Sequence, residues 1–143
     1  MKVNQLSVFI ENKSGRLADV TRSLADAGIN IRALSIADTI DYGLLRLIVN
    51  DPAAARNALA DAGFTVALTE VLAIEVPDSP GGLANIIEIL AQAGINLEYM
   101  YAFVGTSGEN AIVIFRIEKT DEAITILQQK GVRILTGEEL HSL

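Results

Sequence analysis

The sequence predicts an α+β protein built from two copies of one βαββαβ unit, each an antiparallel four-stranded sheet with its helices on one face. Three observations predict it. A pattern recurs at a near-constant interval, stretches of period two alternate with stretches of helical period, and glycine or proline marks most boundaries between them. The repeat is direct. Gly15-Arg16-Leu17-Ala18 returns 66 residues later as Gly81-Gly82-Leu83-Ala84, and Leu24-Ala25-Asp26-Ala27-Gly28-Ile29-Asn30-Ile31 returns at the same interval as Leu90-Ala91-Gln92-Ala93-Gly94-Ile95-Asn96-Leu97. Ala55, Leu59 and Gly63 match Ala123, Leu127 and Gly131 at an interval of 68. Two residues are therefore gained between Asn96 and Ala123. The expected place is a hairpin tip, where Gly105-Thr106-Ser107-Gly108-Glu109-Asn110 outruns Thr39-Ile40-Asp41-Tyr42.

Each element has its own signal. Leu6, Val8 and Ile10 alternate with Ser7, Phe9 and Glu11, as in a half-buried strand. After Asn12-Lys13-Ser14-Gly15 comes a helix with Leu17, Val20, Leu24 and Ala27 on one face, and Gly28 supplies a left-handed cap. Ile29 to Ile36 reads as a second strand. Gly43 to Asn50 reads as a third, with Leu45, Leu47 and Val49 on one face. Asp51-Pro52 starts a helix, the carboxylate capping and the proline sitting where its missing N–H costs nothing. Ala55, Ala58, Leu59 and Ala62 face inward, and Gly63 ends that helix. Thr65 to Val71 closes the first unit.

The second unit repeats the order. Leu72 to Val76 is a strand. Ser79-Pro80-Gly81-Gly82 opens a helix with Leu83, Ile86, Ile87, Leu90 and Ala93 inward. Ile95 to Phe103 and Ala111 to Glu118 form the hairpin, Thr120 caps a helix with Ala123, Ile126 and Leu127 inward, and Val132 to Thr136 is the last strand. Gly137 to Leu143 forms a tail to which no element is assigned. The domains expected are residues 1–71 and 72–143, with no linker, because Thr65 to Val76 holds neither Gly nor Pro. Right-handed crossovers put both helices of a unit on one face of its sheet. The other face, carrying Phe9, Phe103 and Phe115 or their alternating neighbours, needs a cover: the other unit and a second chain are expected to supply it.

Composition excludes several functions. The net charge of −7 comes with singly scattered basic residues, so no basic stripe follows a phosphate backbone, and neither nucleic acid nor an anionic membrane is an expected partner. The chain has no cysteine, which removes disulfides, thiolate metal sites and cysteine nucleophiles and fits a reducing compartment. There is no apolar signal core near the N-terminus and no apolar run of membrane-spanning length. A cytoplasmic protein is the expectation. His141 is the sole histidine, so neither a metal site nor a nucleophile–base pair is expected, and no cofactor is implied.

The turn Asp78-Ser79-Pro80-Gly81-Gly82-Leu83-Ala84, followed by Ala93-Gly94-Ile95-Asn96-Leu97, resembles the signature of ACT domains. The first unit carries it as Asn12-Lys13-Ser14-Gly15-Arg16-Leu17 and Gly28-Ile29-Asn30-Ile31, departing at Asn12, where Asp is common, and at Ser14, where Pro is common. The resemblance covers nearly the whole chain, twice, and is to the tandem ACT proteins that stand alone without a catalytic domain. It implies the ferredoxin-like fold in each unit and a small amino acid held between two units. It also implies that the contacts come from the first strand–helix turn and the start of the second strand. Carried onto this chain, those positions are Asn12, Lys13, Ser14, Gly15, Arg16, Leu17, Asn30 and Ile31 in one unit. In the other they are Asp78, Ser79, Pro80, Gly81, Gly82, Leu83, Asn96 and Leu97. The chemistry suits a zwitterion. A glycine turn brings backbone N–H groups close to a ligand, a helix N-terminus favours its carboxylate, and Asn12 or Asp78 accepts from its ammonium. Lys13 and Arg16 are further candidates for the carboxylate.

Other readings compete. Each Gly-Ile-Asn is also an ordinary helix stop. Ser79-Pro80-Gly81 is also an ordinary helix start, and Asn12-Lys13-Ser14 an ordinary polar loop. Tyr99 and Tyr101 share a strand face, with Met100 on the other, and suit either pocket lining or sheet packing. An enzyme lacks a visible acid–base pair. An RNA-binding sheet would show aromatics on its third strands, but Leu44-Leu45-Arg46-Leu47-Ile48-Val49 and Ala111-Ile112-Val113-Ile114-Phe115-Arg116 offer one. The strongest rival is a pure interaction module that oligomerises or docks a metabolic enzyme without ligand. In the ligand reading the chain is a non-catalytic sensor, a homodimer or higher homo-oligomer, with a metabolic enzyme as a further partner.

Overall fold

The computed structural model of the chain describes residues 1–38 and 42–143. Its elements run β1 (Val3–Glu11), α1 (Arg16–Asp26), β2 (Ile31–Asp38), β3 (Tyr42–Val49), α2 (Pro52–Asp61), β4 (Thr65–Pro77), α3 (Gly82–Gln92), β5 (Leu97–Ser107), β6 (Asn110–Ile117), α4 (Thr120–Gln129), β7 (Ile134–Leu135) and α5 (Gly137–His141). The chain is α+β, and βαββαβ occurs twice, as the periodicities predict. Two compact units result: Asn4–Thr69, and Glu70–Leu143 together with Met1–Val3. Asn4–Thr69 forms the first unit and the remainder the second. The strand β4 is continuous over 13 residues, and the border between the units falls inside it.

In the first unit the strand order is β2-β3-β1-β4. Antiparallel register sets Leu6 against Leu47 and Val8 against Leu45. These four side chains face the helices and join Val20, Leu24, Ala55, Leu59 and Phe64 in one buried cluster. In the second unit the order is β7-β4-β6-β5. There Leu72 and Ile74 join Phe115, Ile117, Ile86, Leu90, Ala123 and Leu127. Each fully buried aliphatic side chain contributes about 1.5–3 kcal/mol relative to exposure, so the period-two and helical stripes read from the sequence account for both cores.

Helix ends follow the expected chemistry where glycine or Asp51 sets them. Gly28, Gly63, Gly94 and Gly131 all take positive φ, between 70° and 91°, just past α1 to α4. Past α1, the Ile29 N–H reaches back to the Leu24 carbonyl and the Gly28 N–H to Ala25. Asp51 Oδ1 accepts from the Ala54 N–H at 3.1 Å, with Pro52 at the first helical position.

Six expectations need correction. Ala27, Ala62 and Ala93, read as inward-facing, are exposed cap residues just past their helices, and Leu17 is exposed as well. Thr120 does not cap α4. Lys119 is the cap residue, without a side-chain bond, and the Thr120 hydroxyl instead donates back to the Ile117 carbonyl. Pro80 does not occupy a first helical turn, because α3 begins at Gly82 after Gly81. Phe115 is not on the open sheet face. Its register against Leu72 turns it to the helices, and Ile112 and Ile114 take the other face. Only part of the Phe9, Phe103 and Phe115 set therefore stands as read: Phe9 is exposed, and Phe103 is buried outside the helix-facing cluster. The two residues gained in the second unit do not lengthen a loop tip. Ala102 pairs with Val113 and Thr106 with Ala111, so β5 spends four steps where β6 spends two, and the excess is a bulge. Ser107 then pairs with Asn110, leaving a two-residue turn at Gly108-Glu109; the compared stretch Thr39-Ile40-Asp41 lies outside the described residues. Finally, the unassigned tail is α5, whose Leu140 is fully buried.

Candidate functional site

Both strand–helix turns are built alike, for reasons visible in their hydrogen bonds. In the first unit the Lys13 N–H bonds the Glu11 carbonyl at 2.8 Å and the Arg16 N–H bonds the Lys13 carbonyl. In the second, the Ser79 N–H bonds the Pro77 carbonyl at 2.9 Å and the Gly82 N–H bonds the Ser79 carbonyl. Gly15 and Gly81 carry the chain into their helices at φ 90° and 87°, a left-handed geometry in which neither contributes a side-chain cap. Asn12, Lys13, Ser14, Gly15, Asp78, Ser79, Pro80 and Gly81 are all exposed, and Leu17 and Leu83 flank them at the helix starts. Lys13 is paired with Glu11 at 2.7 Å, which holds the Glu11 carboxyl below its ordinary range, chiefly through that hydrogen bond.

The repeats differ most at the first helical residue. Arg16 lays its guanidinium over the Phe64 ring, 4.6 Å from the centroid, and approaches Asp19 at 3.5 Å. It is folded onto its own unit rather than held out for a carboxylate. Its counterpart is Gly82, fully enclosed against β4: a Cβ there would stand 2.0 Å from the Pro77 carbonyl oxygen.

The second half of the expected contact set lies elsewhere in each unit. The turn follows Glu11, which pairs with Tyr42, whereas Ile31 pairs with Val49. Tyr42 and Val49 are opposite ends of β3. The turn residues Asn12 to Leu17 and the strand start Asn30-Ile31 therefore occupy opposite ends of one sheet, separated by the 11-residue α1, about 16 Å of helix. The same holds for Asp78 to Leu83 against Asn96-Leu97, since Pro77 pairs with Asn110 and Leu97 with Ile117. No single unit brings the two halves together.

The strand starts are also less open than the sequence suggests. The Asn30 N–H donates to Asn50 Oδ1 at 3.0 Å, and its carbonyl accepts from the Asn50 N–H at 3.3 Å. The Asn96 carbonyl accepts from the Glu118 N–H. Both asparagines are exposed residues. Tyr99 and Tyr101 lie half-buried on β5 opposite Arg116 and Ile114, and Met100 pairs with Phe115.

Other concavities are present, one of them with the turn residue Gly82 in its wall. An apolar hollow of about 420 Å³ is lined by Phe9, Ala37, Tyr42, Gly43 and Leu44 on the first unit. A charged one of about 400 Å³ holds Lys2 between Glu70, 3.5 Å away, and Asp121, 3.0 Å away. A third, of about 290 Å³, lies in the second unit between α3 and the segment following α4. Sequence reasoning did not find it, because it depends on which side chain is missing. Among the described residues no cluster of His, Asp and Glu is arranged to hold a metal ion, and no helix is long and apolar enough to cross a membrane.

Comparison with known proteins agrees with this architecture. The sequence profile of a family described as an ACT domain pair matches residues 1–143. Protein BT0572 from Bacteroides thetaiotaomicron is 43% identical, with a TM-score of 0.93 covering 100% of this chain and 98% of that one. The regulatory subunit of aspartate kinase from Thermus thermophilus, in its ligand-free form, is 20% identical at a TM-score of 0.62, covering 88% and 90%. The Thermus flavus regulatory subunit is 22% identical at 0.55, with the same coverage. These two share the fold. No curated protein matches significantly.

Proposed function

From the premise that this chain belongs to the ACT domain pair family over residues 1–143, we propose that it is a non-catalytic sensor of a small amino acid, residues 1–71 and 72–143 each acting as one ACT domain. One observation carries this reading. The two elements suited to a zwitterion, a glycine turn with an exposed Asn12 or Asp78 and a strand start with an exposed Asn30 or Asn96, occur in both units but at opposite ends of each sheet. A ligand touching both kinds of element has to bridge two units. A bridging ligand shifts an assembly equilibrium by its differential affinity for the bridged state, which is what a sensor requires.

In this reading Asp78 or Asn12 accepts from the ammonium, and backbone N–H groups at the turn take the carboxylate. Asn96 or Asn30 of a second copy completes the site. The protein is a cytoplasmic homodimer whose state is read by a metabolic enzyme. Regulatory subunits of aspartate kinase share the fold, which supports a regulatory role. The test is a thermal-shift screen of the full chain against the twenty amino acids at millimolar concentration. Ligand at about 100 times its Kd adds about 2.7 kcal/mol, several degrees in Tm. We expect a selective rise with one or two amino acids, lost in Asp78→Ala or Asn12→Ala. A flat profile across all twenty sinks the reading.

A second reading, docking of a partner protein without ligand, is favoured by one feature. Phe9 and Tyr42 are 52% and 62% exposed beside Leu44, an apolar face of the kind that marks association sites.

A further inference from the structure

We infer that the second unit holds a small aliphatic carboxylate in the groove between α3 and the segment after α4, a site that shares only Gly82 with the turn and is independent of the bridging reading.

The internal repeat supplies the argument. In the first unit this groove is filled by the protein itself. Arg16 enters it from the start of α1, stacks on Phe64 and pairs with Asp19. Phe64 follows the left-handed Gly63 and sends its N–H to the Leu59 carbonyl, and Val132 follows Gly131 and bonds Leu127 identically, so the two positions correspond. The second unit replaces every member of that arrangement. Arg16 becomes Gly82, Phe64 becomes Val132 and Asp19 becomes Asn85, and Lys130 stands where the first unit has Ala62. The plug is gone, and a cavity of about 290 Å³ is lined by Gly82, Asn85, Lys130 and Val132 among others. The close approach of Gly82 to Pro77 explains the glycine. It does not explain the three accompanying changes.

Those changes also invert the polarity. The first groove receives a cation, offering a carboxylate and an aromatic face. The second offers a neutral amide and an ammonium. Among the described residues the Asn85 side chain makes no hydrogen bond and Lys130 pairs with no carboxylate. Glu75, in the cavity wall, pairs with Arg133 at 3.0 Å and accepts from Asn110, and Arg133 also pairs with Glu139. The walls are aliphatic: Pro77, Ile86, Ile89 and Val132. The volume lies at the low end of ligand pockets, which run from about 300 Å³. That fits a branched acid of a few carbons. The carboxylate meets Asn85 and Lys130, and the hydrocarbon lies between Ile89 and Val132.

The test is a backbone-amide NMR titration of the full chain with L-leucine, 3-methylbutanoate and 3-methylbutylamine. Shifts centred on Asn85, Ile89 and Val132 with 3-methylbutanoate, absent with the amine, are the expected result. If L-leucine acts equally, the groove takes amino acids; if only 3-methylbutanoate acts, it takes simple carboxylic acids without an α-amino group. Val132→Phe restores the first unit's wall and is expected to weaken binding at least about tenfold. Asn85→Ala, at an exposed position that leaves the fold intact, is expected to do the same, and Asp78→Ala to leave binding unchanged. Shifts confined to Asp78–Gly81 and Asn96, or affinity untouched by both groove variants, overturn the proposal while leaving the bridging reading standing. Groove binding as expected, together with an amino-acid thermal-shift response that neither Asp78→Ala nor Asn12→Ala alters, overturns the bridging reading alone.

Discussion

At Gly82 an added methyl group has nowhere to go. Its Cβ would stand 2.0 Å from the Pro77 carbonyl oxygen, which belongs to backbone and cannot swing aside. Gly137, the first residue of α5, has nothing within 4 Å of an added Cβ and no left-handed φ. The two glycines therefore predict opposite signs. Gly82→Ala is expected to cost about 1–3 kcal/mol, as overpacking does, and Gly137→Ala to gain about 0.4–1 kcal/mol by narrowing the unfolded ensemble. Urea unfolding of both variants checks this, and equal effects would refute the contact reading. Sequence alone could not separate these residues. Gly81-Gly82 reads as a generic helix-start pair, and only the approach of α3 to β4 shows that the second glycine answers to space and the first to φ. Arg16 was equally opaque. Its charge suggested a ligand contact, and its partner Phe64 lies 48 positions away, in a contact that no local period encodes.

Elements were legible where a local device made them. Asp51-Pro52 and the four post-helical glycines act within one turn, and so they could be read directly. The helix α5 also had its device, Thr136-Gly137-Glu138-Glu139, but five residues are too short to show an apolar period. The capping box is complete: Thr136 Oγ1 accepts from the Glu139 N–H at 3.2 Å, and the Glu139 carboxylate takes the Thr136 N–H at 3.4 Å. Glu139 also pairs with Arg133. That guanidinium, and then the Thr136 N–H, hold the Glu139 carboxyl below its ordinary range. A depressed folded-state pKa gives stabilisation that is present above the unfolded-state value and fades as pH falls through the folded one. The amides of α5 are therefore expected to lose hydrogen-exchange protection on acidification below about pH 4, the ordinary glutamate range, before the cores open. Thr136→Ala is expected to cost about 1 kcal/mol and to weaken protection of α5 at neutral pH as well. If α5 and the β1–β3 ladder lose protection together at every pH, the cap is not what holds this helix.

At the scale of the molecule, the repeat made the architecture readable and concealed the site. Two copies of one hydrophobic pattern are enough to specify two sheets with helices on one face, because each strand and helix buries its own stripe. Register is a longer-range property. Nothing in Gly28-Ile29-Asn30 shows that it stands at the far end of the sheet from Asn12, and pairing against Val49 rather than Tyr42 is what places it there. The separation has a quantitative consequence for a homodimer with isologous contacts. If each ligand touches Asp78 of one copy and Asn96 of the other, Asp78→Ala and Asn96→Ala alone each leave every site with one defect. When the two variants are mixed and allowed to exchange subunits, about half of the dimers are mixed, and each carries one site with both defects and one with none. About a quarter of all sites should then bind at wild-type affinity. Calorimetric titration of the equilibrated mixture reads that fraction directly. A recovered stoichiometry near a quarter requires the site to be shared between copies. None recovered, with both variants folded and dimeric, places both contacts within one chain or removes Asn96 from the site.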